Sequence, residues 1–268
     1  YKPEGKVKEQ APVKPVEVHE LQYAIIHNQI QAYFQPKVTV TDNKIASAEV
    51  LARWIHPSKG VVPPIAFIPV AEENGLIDSL TLEIFEQAMK HLGRWLKQGY
   101  QFSLGVNLCA DSLCHVELPE TLAKLANTNG VPCNKVELEI TESRLMKNLI
   151  TSLDVLTRLR LKGFGLSIDD FGTGYSSMSQ LSKVPFTELK IDRAFIHDVQ
   201  RGSAAHAILE ASAELAKKLN MSIVAEGVEN QYDWDMAAEV GCDLIQGYFT
   251  AKPMPLEQFE QWLVSNTN

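Results

Sequence analysis

From His19 onward, short β-rich runs alternate with longer stretches of helical period, and this alternation limits the chain to a parallel sheet wrapped by helices. Strand patterns occupy residues 32–40, 45–54, 102–108, 135–141, 165–170, 188–192, 222–226 and 244–248. Apolar periodicity predicts helices over 19–30, 79–98, 119–127, 143–161, 204–219, 232–239 and 256–264. Eight strands with interleaved helices suggest a closed barrel, and 268 residues suit one. Only Thr41-Asp42-Asn43-Lys44 separates the first two strands, too little for a crossover helix, so this pair must be antiparallel. The expected fold is an α/β, modified TIM (β/α)8 barrel with an antiparallel first strand. Residues 61–69 read as a rigid Pro-rich surface loop leading into a short helix at 66–73.

The formal charge is −8, from 25 basic and 33 acidic residues, so no overall field draws in a nucleic acid polymer. An anionic substrate would need local cations. Cys109, Cys114, Cys133 and Cys242 lack paired metal-ligand spacing, and a chain this large does not depend on a disulfide framework; they read as reduced and cytosolic. No apolar run approaches the roughly 18–20 residues of a membrane span, so this fragment is expected to make no membrane contact, although a longer parent protein could be membrane-attached. Residues 1–18 are rich in Lys, Pro, Val and Glu without periodicity. They read as a linker from a missing N-terminal regulatory region, with residues 19–268 as the folded domain. Lys2-Pro3 resembles the end of a response-regulator receiver domain, but a dipeptide also fits a plain tether.

Strand after strand ends in a polar residue: Glu49, Asn107, Glu139, Asp169 with Asp170, Lys190 with Asp192, Glu226 and Gln246. In a barrel those ends converge on one face, where barrel active sites lie. Any one alone would be a surface carboxylate or a helix cap; recurrence in seven strands is harder to dismiss. So many carboxylates cannot share a pocket ionised unless cations neutralise them. Oxygen donors without ligand-spaced His or Cys point to Mg²⁺ or Mn²⁺ rather than zinc, and Ca²⁺ could also occupy the site. The adjacent Asp169-Asp170 pair suits two ions, the arrangement that activates water against a phosphodiester. Lys190 and Asp192, two apart on one strand, share a face. Among carboxylates and metals Lys190 could orient or deprotonate water; its bland reading is a salt-bridged rim lysine. Arg53 could hold a phosphate in bidentate fashion.

Residues 169–177, DDFGTGYSS, attach a Gly- and Ser-rich loop to a strand ending in two aspartates, which fits a mobile active-site loop better than a plain turn. Trp54, Trp95, Phe164 and Phe171 read as core aromatics. His56, His91 and His197 have no spaced partner and read as surface or capping residues.

Together these residues resemble the EAL family of cyclic di-GMP phosphodiesterases over about 21–263. The signature Glu-x-Leu-x-Arg is present as Glu49-Val50-Leu51-Ala52-Arg53, with Val in place of the eponymous Ala. Asn107 in VNL, Glu139 and Glu142 in EITE, DDFGTGYSS, Lys190-Ile191-Asp192, Glu226 in AEGVE and Gln246 in QGY follow in order. The resemblance implies that Glu49, Asn107, Glu139, Asp169, Asp170 and Glu226 hold two Mg²⁺ or Mn²⁺ ions, with Ca²⁺ inhibitory. It implies that Lys190, Glu226 and Asp170 serve catalysis, that Leu51, Arg53, Gln246 and Asp192 bind substrate, and that Glu142 anchors the 169–177 loop. Implied activity is hydrolysis of cyclic di-GMP to linear 5'-pGpG by a bacterial, cytoplasmic homodimer, lowering this second messenger. A non-catalytic cyclic di-GMP receptor is the alternative.

Overall fold

The computed structural model describes residues 16–145, 149–173, 181 and 183–266. Strands β1 (Ile30–Thr39) and β2 (Ile45–His56) form a long antiparallel hairpin, with Phe34 opposite Val50 and Gln35 opposite Glu49. Its turn places Asn43 in the left-handed region at φ 55°, which Asn tolerates well. The strands β4 (Ser103–Asn107), β5 (Val136–Thr141), β6 (Gly165–Phe171), β7 (Glu188–Ile191), β8 (Ser222–Ala225) and β9 (Leu244–Ile245) follow in parallel from β2. β1 closes the ring by pairing antiparallel with both β9 and β2. The result is an eight-stranded barrel with its first strand reversed, as the short turn dictated.

A ninth strand, β3 (Gly60–Val62), pairs antiparallel with the far end of β2 and stands outside the ring. Residues 61 and 62 are therefore strand rather than loop, and helix α2 (Pro64–Glu73) starts two residues earlier than its periodicity suggested. Pro64 sits in the first turn of α2, where its missing N–H costs nothing.

Helices α3 (Ile77–Lys97), α4 (Leu118–Thr128), α6 (Leu149–Leu161), α7 (Ala204–Lys218), α8 (Gln231–Val240) and α9 (Leu256–Asn266) surround the barrel. The predicted 143–161 helix appears as α5 (Glu142–Leu145) and α6, with 146–148 outside the described residues. Helix α1 (Val18–Ile26) stops four residues short of residue 30, because Asn28 turns left-handed at φ 53° and Ile30 is already paired in β1. Of the presumed linker, 1–15 lie outside the described residues, while Val16 and Val18 pack against the core. Trp54, Trp95 and Phe164 are buried and Phe171 is half-buried against the same core. Phe34, Trp95 and Phe259 lie within ring-centroid distances of 5.1–5.3 Å, tying α3, α9 and β1 together.

Apolar packing fills the layer between sheet and helices. The barrel interior is polar: Lys37, Ser47, Glu49, Glu139, Ser167, Asp169, Glu188 and Lys190 are all buried. Contacts among β1, β5 and β7, which are not neighbours in the sheet, can pass only through that interior.

Candidate active site

The site sits at the C-terminal ends of the parallel strands. Lys190, on β7, is 1% exposed, and its ammonium lies 2.8 Å from Glu139, 2.7 Å from Glu226, 3.0 Å from Asp169 and 3.5 Å from Glu49. Burial opposes charge on this lysine, but the four carboxylates outweigh it and hold the ammonium protonated well above the ordinary value. Glu139 feels the same balance from the other side. Burial pushes its carboxyl up, while Lys190 and Lys37 together hold it down to about 2. Glu226 has no second cation among the described residues: burial, then the charges of Asp169 and Glu49, push it up to about 8. Glu49 and Asp170 are also raised, chiefly by burial and neighbouring carboxylates. One ammonium does not neutralise this cluster, and more positive charge would stabilise it.

Adjacent residues of a regular strand point to opposite faces, yet Asp169 and Asp170 reach the same site. The register of β6 against β7 shifts between Ile168 and Phe171, and Asp170 adopts the left-handed conformation at φ 55°. That irregularity re-aims the second aspartate. Carboxylate oxygens of Asp169, Asp170 and Glu226 then lie within 4.8 Å of one another, a grouping that could hold a metal ion. The donor set is hard oxygen throughout, which fits Mg²⁺ or Mn²⁺.

Asn107 ends β4 and donates from Nδ2 to Glu49 Oε1 at 2.9 Å. Gln246, just past β9, is buried and donates to Glu49 Oε2 at 2.6 Å and Gln35 Oε1 at 3.1 Å. Its own Oε1, also buried, has no hydrogen-bond partner among the described residues. Gln246 thus sets the orientation of Glu49. Glu142 is buried and accepts from the Gly172 N–H at 3.0 Å, linking α5 to the start of the 169–177 loop. Gly172 has φ +99° and lies against the Phe195 ring, so a side chain there would be both strained and obstructed. Residues 174–177 of the loop lie outside the described residues.

Asp192 stands one residue past the strand expected to hold it, and its charge is among those that raise Asp170. β7 ends at Ile191, and Asp192 caps the 3-10 turn Arg193–Phe195, accepting from Ala194 N at 2.9 Å. Arg53 is half-buried, 5.9 Å above the Tyr33 ring, and donates to the Ala52 carbonyl. Leu51 lines a largely apolar cleft of about 370 Å³ with Pro64, Ile68, Leu80 and Ile84. That cleft opens beside Glu49 and Asn107, so a polar centre adjoins an apolar recess.

A scan of family models matches the EAL domain over residues 18–253. The chain belongs to the EAL domain family. Among curated relatives, this EAL domain is 37% identical over 242 residues to the bifunctional diguanylate cyclase/cyclic di-GMP phosphodiesterase MucR of Pseudomonas aeruginosa, covering 90% of this chain and 35% of that protein. It is also 37% identical to the cyclic di-GMP phosphodiesterase RocR of the same organism, covering 87% of this chain and 59% of RocR. The solved structure of PaMucR phosphodiesterase in complex with c-di-GMP superposes with a TM-score of 0.86 at 37% identity, covering 90% of this chain and 98% of that one. The chain therefore spans about a third of the length of MucR, and matches the solved phosphodiesterase piece almost end to end.

Sequence reasoning missed three residues inside the barrel: Lys37, which donates to Glu139 and Glu188, Glu188 itself, and Gln35, which accepts from Gln246. For Glu188 a signal was available, whereas none marked Lys37 or Gln35. Side chains two apart in a strand share a face, and polar residues precede the strand-end residues by two at Ser47, Glu137, Ser167 and Glu188.

His197 has a partner that its spacing did not suggest: Nδ1 lies 2.9 Å from Asp233 Oδ2, and Asp233, fully buried, also accepts from the N–H groups of Asp198 and Glu229. This contact ties the turn after β7 to the start of α8. The hydrogen bond to Asp233 raises the His197 pKa above its ordinary 6.5. A raised imidazole stabilises the fold fully below the unfolded value and loses that contribution as pH rises through the folded value. His197→Gln is therefore expected to lower the melting temperature more at pH 6 than at pH 8.5; equal losses at both would show a neutral contact. His56 accepts the N–H groups of Ser58 and Lys59, a turn-capping role, and His91 packs on Phe34 and Trp95.

Proposed function

We propose that this EAL domain is a metal-dependent phosphodiesterase that hydrolyses cyclic di-GMP to linear 5'-pGpG. The observation that carries the reading is the convergence of Glu49, Glu139, Asp169 and Glu226 on the single ammonium of Lys190, beside the Asp169–Asp170–Glu226 oxygen cluster. Glu49, Asn107, Glu139, Asp169, Asp170 and Glu226 would hold two Mg²⁺ or Mn²⁺ ions. When bound, those ions supply Lewis acidity and lower the pKa of water near a phosphodiester. Ca²⁺, larger and more flexible in coordination, would fill the same oxygens without the same activity.

Lys190, held as an ammonium by its neighbours, suits orienting a water and balancing phosphate charge better than removing a proton. Glu226 and Asp170 stand in the same oxygen cluster and complete the catalytic set in this reading. The apolar cleft lined by Leu51 suits a substrate with a flat organic part next to its charged part, as a cyclic dinucleotide has. Arg53, Gln246 and Asp192 complete the substrate contacts in this reading, and Glu142 anchors the loop that begins at Gly172. The same reading sets the domain in a bacterial cytoplasmic homodimer behind an N-terminal regulatory domain joined through residues 1–18.

The test is chromatography of products from cyclic di-GMP with Mg²⁺ or Mn²⁺, then with chelator or Ca²⁺. Metal-dependent pGpG supports the enzyme; tight binding without product would make the domain a receptor, and neither outcome would reject both. Arg53→Ala is expected to raise KM about tenfold or more with a smaller change in kcat, as loss of a phosphate contact should. An unchanged KM would remove Arg53 from substrate binding.

A further inference from the structure

The carboxylate of Glu139 is gripped from two sides. Lys190 donates to Oε2 at 2.8 Å, and Lys37, reaching in from β1, donates to Oε1 at 2.6 Å. Lys190 faces the other site carboxylates, whereas Lys37 turns away from them to Glu188 Oε1 at 3.2 Å, an oxygen that also accepts from Ser167 Oγ at 2.9 Å. Lys37, Glu139, Glu188 and Ser167 are 0%, 1%, 5% and 0% exposed. Burying an ammonium costs several kcal/mol before its partners compensate, and barrel interiors that need only filling use branched apolar residues.

A glutamate's terminal torsion is broad and nearly twofold, so an untethered Glu139 could present either oxygen, or both, to a cation. Gly105 makes the tether possible. A Cβ at that position would collide with Glu139 Oε1 and stand 3.3 Å from the Lys37 ammonium. Resting on the metal-dependent reading above, we propose that Lys37 is a positioning residue: backed by Glu188, it holds Oε1 of Glu139 in the barrel floor, so that Glu139 offers a divalent cation only Oε2. Lys37 belongs to no strand-end motif, and its role is exerted through Glu139 rather than on the substrate.

Lys37→Met keeps the length and volume of the side chain and removes its donor. Calorimetric titration with Mn²⁺ in the absence of substrate is expected to show affinity weakened about 10–100-fold, the usual cost of losing the group that orients a metal ligand. kcat should recover toward wild type as Mn²⁺ is raised, and KM for cyclic di-GMP should stay within about twofold. Because this variant strands Glu188, K37M/E188Q is made beside it. The double variant should regain melting temperature without regaining Mn²⁺ affinity, whereas a purely structural role would restore both. Mn²⁺ affinity equal to wild type in either variant overturns the role of Lys37. A wild-type chain that takes up no Mn²⁺ overturns the metal-dependent reading itself, and Lys37's role with it.

Discussion

Lys190→Met is expected to lower kcat by about 10²–10⁴-fold, the range set by losing a group that acts directly on proton or charge movement, while cyclic di-GMP still binds. The lysine is the one cation that Glu49, Glu139, Asp169 and Glu226 share among the described residues, at 2.7–3.5 Å. Its removal has a second consequence besides slow chemistry. Of the four buried or half-buried carboxylates only Glu139 would keep an ammonium, that of Lys37, so added cations should matter more to the fold. Mn²⁺ is therefore expected to raise the melting temperature of Lys190→Met by more than it raises that of the wild type. Product chromatography and a thermal melt with and without Mn²⁺ separate the two effects. Wild-type turnover in this variant would take Lys190 out of the reaction, and an unchanged Mn²⁺ response would show that the carboxylates neutralise themselves by taking up protons.

The barrel and its reversed first strand were legible because both follow from local rules. Alternating periods announce β-α units, and a four-residue gap cannot contain a crossover helix. The gathering of strand-end residues was legible for the same reason, since parallel strands in a barrel all end on one face. What could not be read was anything set by irregular backbone or by contact across the barrel. No periodicity signals that β6 breaks register so that Asp169 and Asp170 serve one site, because regular alternation would turn them apart. Asp192 was assigned to a strand by the same alternation, and lost that place because its carboxylate caps the next turn instead. Nor does the sequence show that Gln246 also donates to Glu49, a relation between residues 197 positions apart. Lys37 escaped notice because a lysine in the first strand of a hairpin reads as a solvated edge; only closure of the ring turns that face inward.

The largest stability effect is expected from Glu139→Gln, which keeps the shape of the side chain and removes its charge. Glu139 is the shared partner of two buried ammoniums, so the change leaves Lys37 with Glu188 alone and weakens the grip on Lys190. Breaking a buried ion pair by altering one partner costs about 3–5 kcal/mol. The pH dependence of that loss identifies its origin. Burial pushes the Glu139 carboxyl up, but Lys190 and Lys37 hold it at about 2 in the fold, below its ordinary 4.5. A carboxyl depressed on folding stabilises the native state above its unfolded pKa and loses that contribution as pH falls toward the folded value. Glu139→Gln should thus show its full deficit from neutral pH down to about 5, and a shrinking one between 4.5 and 2. Urea unfolding of both proteins at pH 7 and pH 3, with chelator present so that no metal intervenes, measures the difference directly. Equal deficits at the two pH values would assign the loss to packing in the barrel floor, and the two lysines would then be neutral spectators of a carboxylate that holds its place without them.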